Sequence, residues 1–322
     1  LRRVPALPGS SAVLPAVLLA LGLGGLTACG TDDGSGSIDG GAAAAGTVTV
    51  SGDFGKAPKV KYDGRLGQET SETTVLTEGE GADVEDGESA MVHLYIGNGF
   101  SGEKAYSTYD DNRPTVLEVG ENSLPALREA VVGHPAGSRV QVLAAPEDAY
   151  GEAGNPNLFI GNGDSVVFVV DILSTVLDGP EGAEQEAPAG LPSITETDGT
   201  VTALDFADAE PAGKGLQVVT LVEGEGPEIE KGSFLAMHYL GQVEGKKKPF
   251  DENYSAEAIT PFRIGKGDLI KGWDEGLVGV PVGSRVMLVV PPRFGYGAKG
   301  NDGAGIKGTD TIYFVIDVLG VS

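Results

Sequence analysis

The chain holds a single cysteine, a single tryptophan, three histidines and three methionines in 322 residues. With Cys29 alone, no intrachain disulfide can form, so any folded part must rest on packing. His93, His134 and His238 are scattered and make no zinc-type ligand set, and no acidic run has the spacing of a calcium-binding loop. Basic residues are also scarce: 22 Lys and Arg face 47 Asp and Glu, a net charge of −25. That balance disfavours nucleic acid and anionic lipid surfaces as ligands. It reads first as a well-solvated surface, with attraction to basic, unfolded clients as the alternative. A phosphate-binding P-loop, a Gly-x-Ser-x-Gly elbow and a Ser/His/Asp set are all missing from the pattern. Gly265-Lys266-Gly267 reads as a turn. No metal and no cofactor is expected.

What is present is a repeat. Thr77-Glu78-Gly79-Glu80-Gly81 recurs as Val222-Glu223-Gly224-Glu225-Gly226, and Tyr95-Ile96-Gly97 as Tyr239-Leu240-Gly241. Gly133-His134-Pro135-Ala136-Gly137-Ser138-Arg139-Val140 recurs as Gly279-Val280-Pro281-Val282-Gly283-Ser284-Arg285-Val286, and Ala149-Tyr150-Gly151 as Gly295-Tyr296-Gly297. The offset stays between 144 and 146 residues, too long for a solenoid unit of about 20–50 residues. Two tandem domains fit both the period and the length.

The flanks are different in kind. Arg2 and Arg3, the apolar run Val13 to Leu23 and the small residues after it have the layout of an export signal over residues 1–28. The run is too short and too rich in Gly and Pro for a good spanning helix. Leu26-Thr27-Ala28-Cys29 resembles the lipobox of bacterial lipoproteins. That resemblance implies lipidation of Cys29 and anchoring to the outer face of a bacterial cytoplasmic membrane without spanning it. An ordinary signal with a chance cysteine is the alternative. Residues 29–57, rich in Gly, Ala, Ser, Thr and Asp, read as a flexible tether. The first module is expected over 58–176, a Pro/Gly/Glu-rich linker with room for one short strand over 177–212, and the second module over 213–322.

In the second module Leu216 to Val222, Phe234 to Val243, Thr260 to Ile264, Arg285 to Val290 and Thr311 to Leu319 read as strands. Ile270, Trp273 and Leu277 lie on one face of a short helix, which Gly279 and Pro281 end. One helix among about five strands predicts an α+β fold, an antiparallel sheet wrapped over a helix.

His238-Tyr239-Leu240-Gly241, Pro249-Phe250-Asp251, Thr260-Pro261-Phe262-Arg263-Ile264-Gly265, Leu269-Ile270-Lys271-Gly272-Trp273-Asp274-Glu275-Gly276, Gly283-Ser284-Arg285 and Phe294-Gly295-Tyr296-Gly297-Ala298 together resemble the FKBP-type peptidyl-prolyl cis-trans isomerases. The resemblance covers residues 213–322 and implies a bent antiparallel sheet around a short helix. It also implies a site. Trp273 is the floor under a proline ring, and Tyr239, Phe250, Phe262 and Phe314 are apolar walls. Leu269 and Ile270 line the rim, the Ile270 N–H donates to a substrate carbonyl, and Tyr296 offers a second donor. Asp251 is a polar contact near the twisted amide, and Ile306 covers the site from the Lys299–Lys307 loop, where the family pattern is left. Taken singly, the aromatics would be strand core, Asp251 a turn residue and Trp273 helix packing; in this order they form a pocket.

The first module departs from the pattern. Tyr95, Tyr106, Leu117 and Tyr150 fall opposite Tyr239, Phe250, Phe262 and Tyr296, Leu127 falls at the tryptophan position, and Ser107 replaces the aspartate. Weak or no isomerase activity is expected there, with client holding or spacing as its role. The reading for the whole chain is an exported, lipid-anchored prolyl isomerase acting on proline-containing segments of unfolded or exported proteins. A non-catalytic chaperone on the same fold is the alternative. A solute-binding lipoprotein is disfavoured because the modules are too small for two closing lobes. Macrolides stand as a candidate ligand class, by resemblance.

Overall fold

The computed structural model describes residues 46–256 and 258–322. The export signal, Cys29 and most of the expected tether lie outside the described residues. A hairpin opens the described chain, β1 (Thr47–Ser51) with β2 (Lys59–Asp63). The first domain follows as β3 (Glu72–Thr77), β4 (Ser89–Asn98), β5 (Lys104–Ser107), β6 (Thr115–Glu118), α1 (Pro125–Val131), β7 (Arg139–Ala144) and β8 (Val166–Val176). Its sheet runs β3-β7-β8-β4-β5, with β6 also on β4, and every pairing is antiparallel.

Between the domains the expected single strand is replaced by three: β9 (Gly182–Glu184), then the hairpin β10 (Ser193–Thr197) and β11 (Thr200–Asp205). The second domain comprises β12 (Gln217–Gly224), β13 (Phe234–Val243), β14 (Asp251–Glu252), β15 (Phe262–Arg263), α2 (Lys271–Gly276), β16 (Arg285–Val290) and β17 (Ile312–Val321). Its sheet runs β14-β13-β17-β16-β12-β9, with β15 on β13. The α+β architecture predicted from the strand and helix patterns is the one observed, twice.

Both sheets are buried on both faces, which is why β13 and β17 read as near-continuous apolar runs rather than alternating ones. Leu235, Met237, Tyr239, Phe314 and Ile316 face the helix and form one core. Leu240, Met287, Tyr313 and Val315 face the other way, under Val201 and Leu204 of the β10–β11 hairpin. The first domain is built alike, with Tyr95, Val167 and Val169 covered by Val48, Val50 and Tyr62 of the β1–β2 hairpin. Residues 46–57 thus belong to a folded hairpin, a correction to the tether expected there. The repeat of a covering hairpin before each sheet was hidden because its strands are short and its loops differ in length.

Each hairpin also reaches a buried ion pair. Arg139 and Asp171 lie 1% and 0% exposed with Nε–Oδ1 at 2.5 Å, and Arg139 donates to the carbonyls of Gly52 and Lys56 at 3.0 and 2.6 Å. In the second domain Arg285 pairs with Asp317 and with Glu196 of the covering hairpin, both at 2.6 Å. The two domains share a smaller core of Met91, Val176, Phe234, Ala236 and Leu319, and the Leu177 N–H donates to the Leu319 carbonyl at 2.9 Å.

Candidate functional site

Helix α2 starts directly after extended Ile270, and its Trp273 side chain is fully buried. The loop before the helix is pinned by Asp274, whose carboxylate accepts the Gly265 and Gly267 N–H groups at 2.7 and 2.6 Å. The Gly265-Lys266-Gly267 turn is accounted for by that clasp. Three rings present to Trp273 near-perpendicularly: Tyr239 at 5.1 Å and 74°, Phe314 at 5.1 Å and 76°, and Phe262 at 5.8 Å and 86°. Phe250 meets Phe314 at 5.8 Å and 86°. These are the edge-to-face separations that aromatic quadrupoles favour. Each wall comes from a different strand or strand end, so only the closed sheet assembles them.

The other predicted residues converge on the same place. Ile270 and Ile306 are buried within this core, and Leu269 and Tyr296 pack against it partly exposed. Asp251 joins through Tyr239, whose hydroxyl donates to the Asp251 carboxylate at 3.1 Å. Burial pushes the Asp251 carboxyl above its ordinary range, against the downward pull of that hydrogen bond. Burial and the adjacent carboxylate push the Tyr239 phenol up, so it stays a hydrogen-bond donor. Two buried polar atoms at the site have no partner among the described residues, the Trp273 indole Nε1 and the Tyr296 hydroxyl. Leaving such groups unpaired costs about 1–3 kcal/mol each, a cost that a bound acceptor would remove. The Ile270 N–H likewise makes no hydrogen bond among the described residues.

One residue that shapes the cluster was missed. A Cβ on Gly241 would stand 2.6 Å from the Phe314 ring and 2.7 Å from the Phe250 ring. The missing side chain lets the Phe250 and Phe314 rings lie directly against the strand backbone. A glycine inside an otherwise apolar strand was the available signal.

The first domain corrects two sequence alignments by one residue each. In the sheet ladder Tyr239 opposes Ile316 and Leu94 opposes Val170, so Leu94, not Tyr95, holds the Tyr239 position. Tyr95 points to the opposite face, beneath the β1–β2 hairpin. A single-residue slip reverses the face of every side chain, and the sequence match Tyr-x-Gly concealed it. Ile96 then stands at the Gly241 position, opposite Phe168 as Gly241 stands opposite Phe314. Similarly Tyr106, opposite Ile96, occupies the Asp251 place, with Ala105 preceding it in that of Phe250 and Ser107 in that of Glu252. Leu117 and Leu127 do take the places of Phe262 and Trp273, and Tyr150 that of Tyr296. Leu94, Ile96 and Leu127 are all buried in that core, so aliphatic side chains fill the volume that the second domain encloses with rings.

Among the described residues no group of His, Cys, Asp and Glu is arranged to hold a metal ion, and no helix is long and apolar enough to cross a membrane. The family model for "FKBP-type peptidyl-prolyl cis-trans isomerase" matches residues 80–173 and 226–319. An FK506-binding protein of Streptomyces anulatus is 33% identical over 118 residues, 37% of this chain and 94% of that protein. The peptidyl-prolyl cis-trans isomerase FKBP1A of Xenopus laevis is 38% identical over 106 residues, 33% of this chain and 96% of that protein. Among solved structures, AtFKBP13 is 34% identical, covers 34% of this chain and 94% of its own, and superposes with a TM-score of 0.31. With both repeats matched, over more than half of its residues, the chain belongs to the FKBP-type peptidyl-prolyl cis-trans isomerase family.

Proposed function

We propose that the second domain is the isomerase, rotating X–Pro bonds in its aromatic pocket, and that the first domain binds clients without turning them over. The observation that carries this is the meeting of three ring edges on Trp273 beside two unpartnered donors. Rotation about a prolyl bond breaks no covalent bond. Its barrier of about 18–20 kcal/mol comes from amide resonance, and the uncatalysed exchange takes tens to hundreds of seconds. A twisted amide separates less charge than a planar one, so a dry aromatic site favours the twisted form over the ground state. Only that difference accelerates the step, and each 1.36 kcal/mol gained is about tenfold. Tyr296 and the Ile270 N–H orient the flanking carbonyls, and Asp251 holds Tyr239 in its edge-on pose.

Proline isomerisation of a short peptide by the full chain tests the assignment. Trp273→Leu, which reproduces the residue found in the first domain, should cut kcat/KM about tenfold to a hundredfold. Unchanged turnover in a folded Trp273→Leu chain would remove the second domain as the catalyst. Occupation of the pocket by a macrolide of the FK506 kind should compete with the peptide.

The partly exposed Phe100 and the 88% exposed Phe159 of the first domain favour client holding as the role of that half. Anchoring through a lipid on Cys29, outside the cytoplasmic membrane of a bacterium, is part of the same proposal and rests on the export pattern. Mass spectrometry of the mature N-terminus tests it, with a diacylated Cys29 expected and a processed but unmodified terminus overturning it.

A further inference from the structure

Charge is distributed very unevenly between the two copies. Residues 58–176 carry 7 basic and 20 acidic side chains, residues 177–212 carry none basic and 9 acidic, and residues 213–322 carry 12 and 14. The second domain is thus nearly neutral in a strongly acidic protein. Its cations are also placed next to the pocket. Lys246, Lys247 and Lys248 form the turn that leads into Phe250 and Asp251, and all three are exposed. Lys299 and Lys307 are exposed on the loop that carries Tyr296 and Ile306. Arg293 lies beside Phe294, its guanidinium 4.6 Å from the ring centroid. None of these six takes part in an ion pair among the described residues.

The first copy removes or reverses these charges. Glu103 stands at the Lys248 position, Glu147 at that of Arg293, Ala153 at that of Lys299 and Gly161 at that of Lys307. The two loops have the same backbone plan, three successive short helical turns closed by an Asn155–Ile160 or Asn301–Ile306 bridge. The scaffold therefore does not require the cations. Carboxylates lie among them too: Asp302, which is exposed, and Asp310, which accepts the Lys307 N–H at 2.8 Å, on the same loop, and Asp251 and Glu252 after the lysine turn, four acids against the six cations. Cations thus outnumber acids on the loops around the site, while the hairpin behind the sheet carries acids alone.

We infer that the lysine rim selects prolyl segments flanked by carboxylates, so that the preferred clients are acidic around the isomerised bond. This deepens the isomerase reading and rests on it. Free, exposed cations around a low-dielectric cleft raise the local concentration of anionic ligands by about tenfold or more, an effect that salt screens.

Three peptides sharing one X–Pro core, flanked on both sides by Glu, Gln or Lys, test the inference with the full chain. At low ionic strength kcat/KM should fall in the order Glu, Gln, Lys, by at least about threefold per step, and the order should collapse near 0.5 M salt. The combined variant Lys246→Gln, Lys247→Gln, Lys248→Gln, Lys299→Gln, Lys307→Gln should bring the Glu peptide down to the Gln peptide. Equal or reversed order in the wild type, or the original order kept in the variant, would overturn the rim's role. If the Gln peptide is not turned over at all, the isomerase reading is what has failed. Peptide binding by fluorescence anisotropy then decides the charge preference by itself, the Glu peptide binding tightest if the rim acts as inferred.

Discussion

The two domains share a scaffold down to its polar core and differ where a substrate would sit. Arg139–Asp171 and Arg285–Asp317 occupy the same rungs of β7–β8 and β16–β17. His93 stacks on Tyr109 at 4.4 Å, and His238 on Tyr254 at 5.2 Å. Against that constancy, Trp273 faces Leu127, Gly241 faces Ile96 and Asp251 faces Tyr106. The first copy fills with aliphatic side chains the volume that rings enclose in the second, and either filling buries apolar surface. The buried hydroxyls of Tyr150 and Tyr296 lack partners in both copies, whereas the unpartnered Trp273 indole Nε1 is a cost that the first copy, with Leu127 in that place, does not bear.

The sharpest way to break the comparison is to convert the second pocket into the first. Gly241→Ile places a branched side chain where a Cβ alone lies 2.6 Å from Phe314. Overpacking of this kind costs about 1–3 kcal/mol of stability, and peptide turnover should fall by about a hundredfold or more. Retained turnover in a folded Gly241→Ile chain would show that the close seating of the two rings on Gly241 is not used.

The shared ion pair should matter more in the first domain. Removing one partner of a fully buried pair costs about 3–5 kcal/mol, so Arg139→Met should lower the first domain's denaturation midpoint sharply. Arg285 is 14% exposed at its side chain, so Arg285→Met should cost less. Equal losses, followed by chemical denaturation, would mean that burial by the hairpin adds nothing.

Acid should act on the two domains in opposite directions. Burial holds the His93 imidazole below its ordinary pKa, against an upward pull from Asp171. The unfolded chain then takes a proton that the fold refuses, so His93 costs the first domain stability as pH falls from about 6.5 through the folded value. Asp251 is raised, so the second domain gains from its protonation as pH falls through that raised value toward the ordinary one near 3.8. His93→Gln should flatten the first dependence and Asp251→Asn the second in unfolding curves recorded between about pH 4 and 7.

The smallest effect concerns Phe159, held at φ 53° where its counterpart Gly305 sits at φ 66°. A left-handed conformation costs a non-glycine residue about 1–2 kcal/mol, partly offset by the greater unfolded-state entropy of glycine. Phe159→Gly should therefore raise stability by up to about 1 kcal/mol and weaken capture of an unfolded client. Unchanged suppression of client aggregation would remove Phe159 from the holding surface.

The amino-acid order was enough for the repeat and for five strands of the second domain, and the ten residues it singled out lie around one core. Apolar runs and turn glycines are local signals, and the aromatic set recurs in a fixed order. The strand ends were legible to within a few residues, with β13 and β16 read to the residue. The hairpins were not legible, since two five-residue strands in a Gly- and Thr-rich stretch look like tether until a sheet face is available to cover. The first domain's register was not legible either. A Tyr-x-Gly match aligned letters, whereas pairing with β8 decided which side of the sheet each side chain faced.

The sequence by itself determined that there are two copies of one α+β domain, that the second carries the aromatic set, and that the chain is acidic. Only the tertiary structure decided that Tyr95 faces away from the first domain's helix, that Ile96 is buried in that core, and that Gly241 admits the Phe250 and Phe314 rings in the second. The reason is physical: composition and periodicity are properties of a segment, while the filling of a core depends on which side chains from distant strands compete for the same few ångströms.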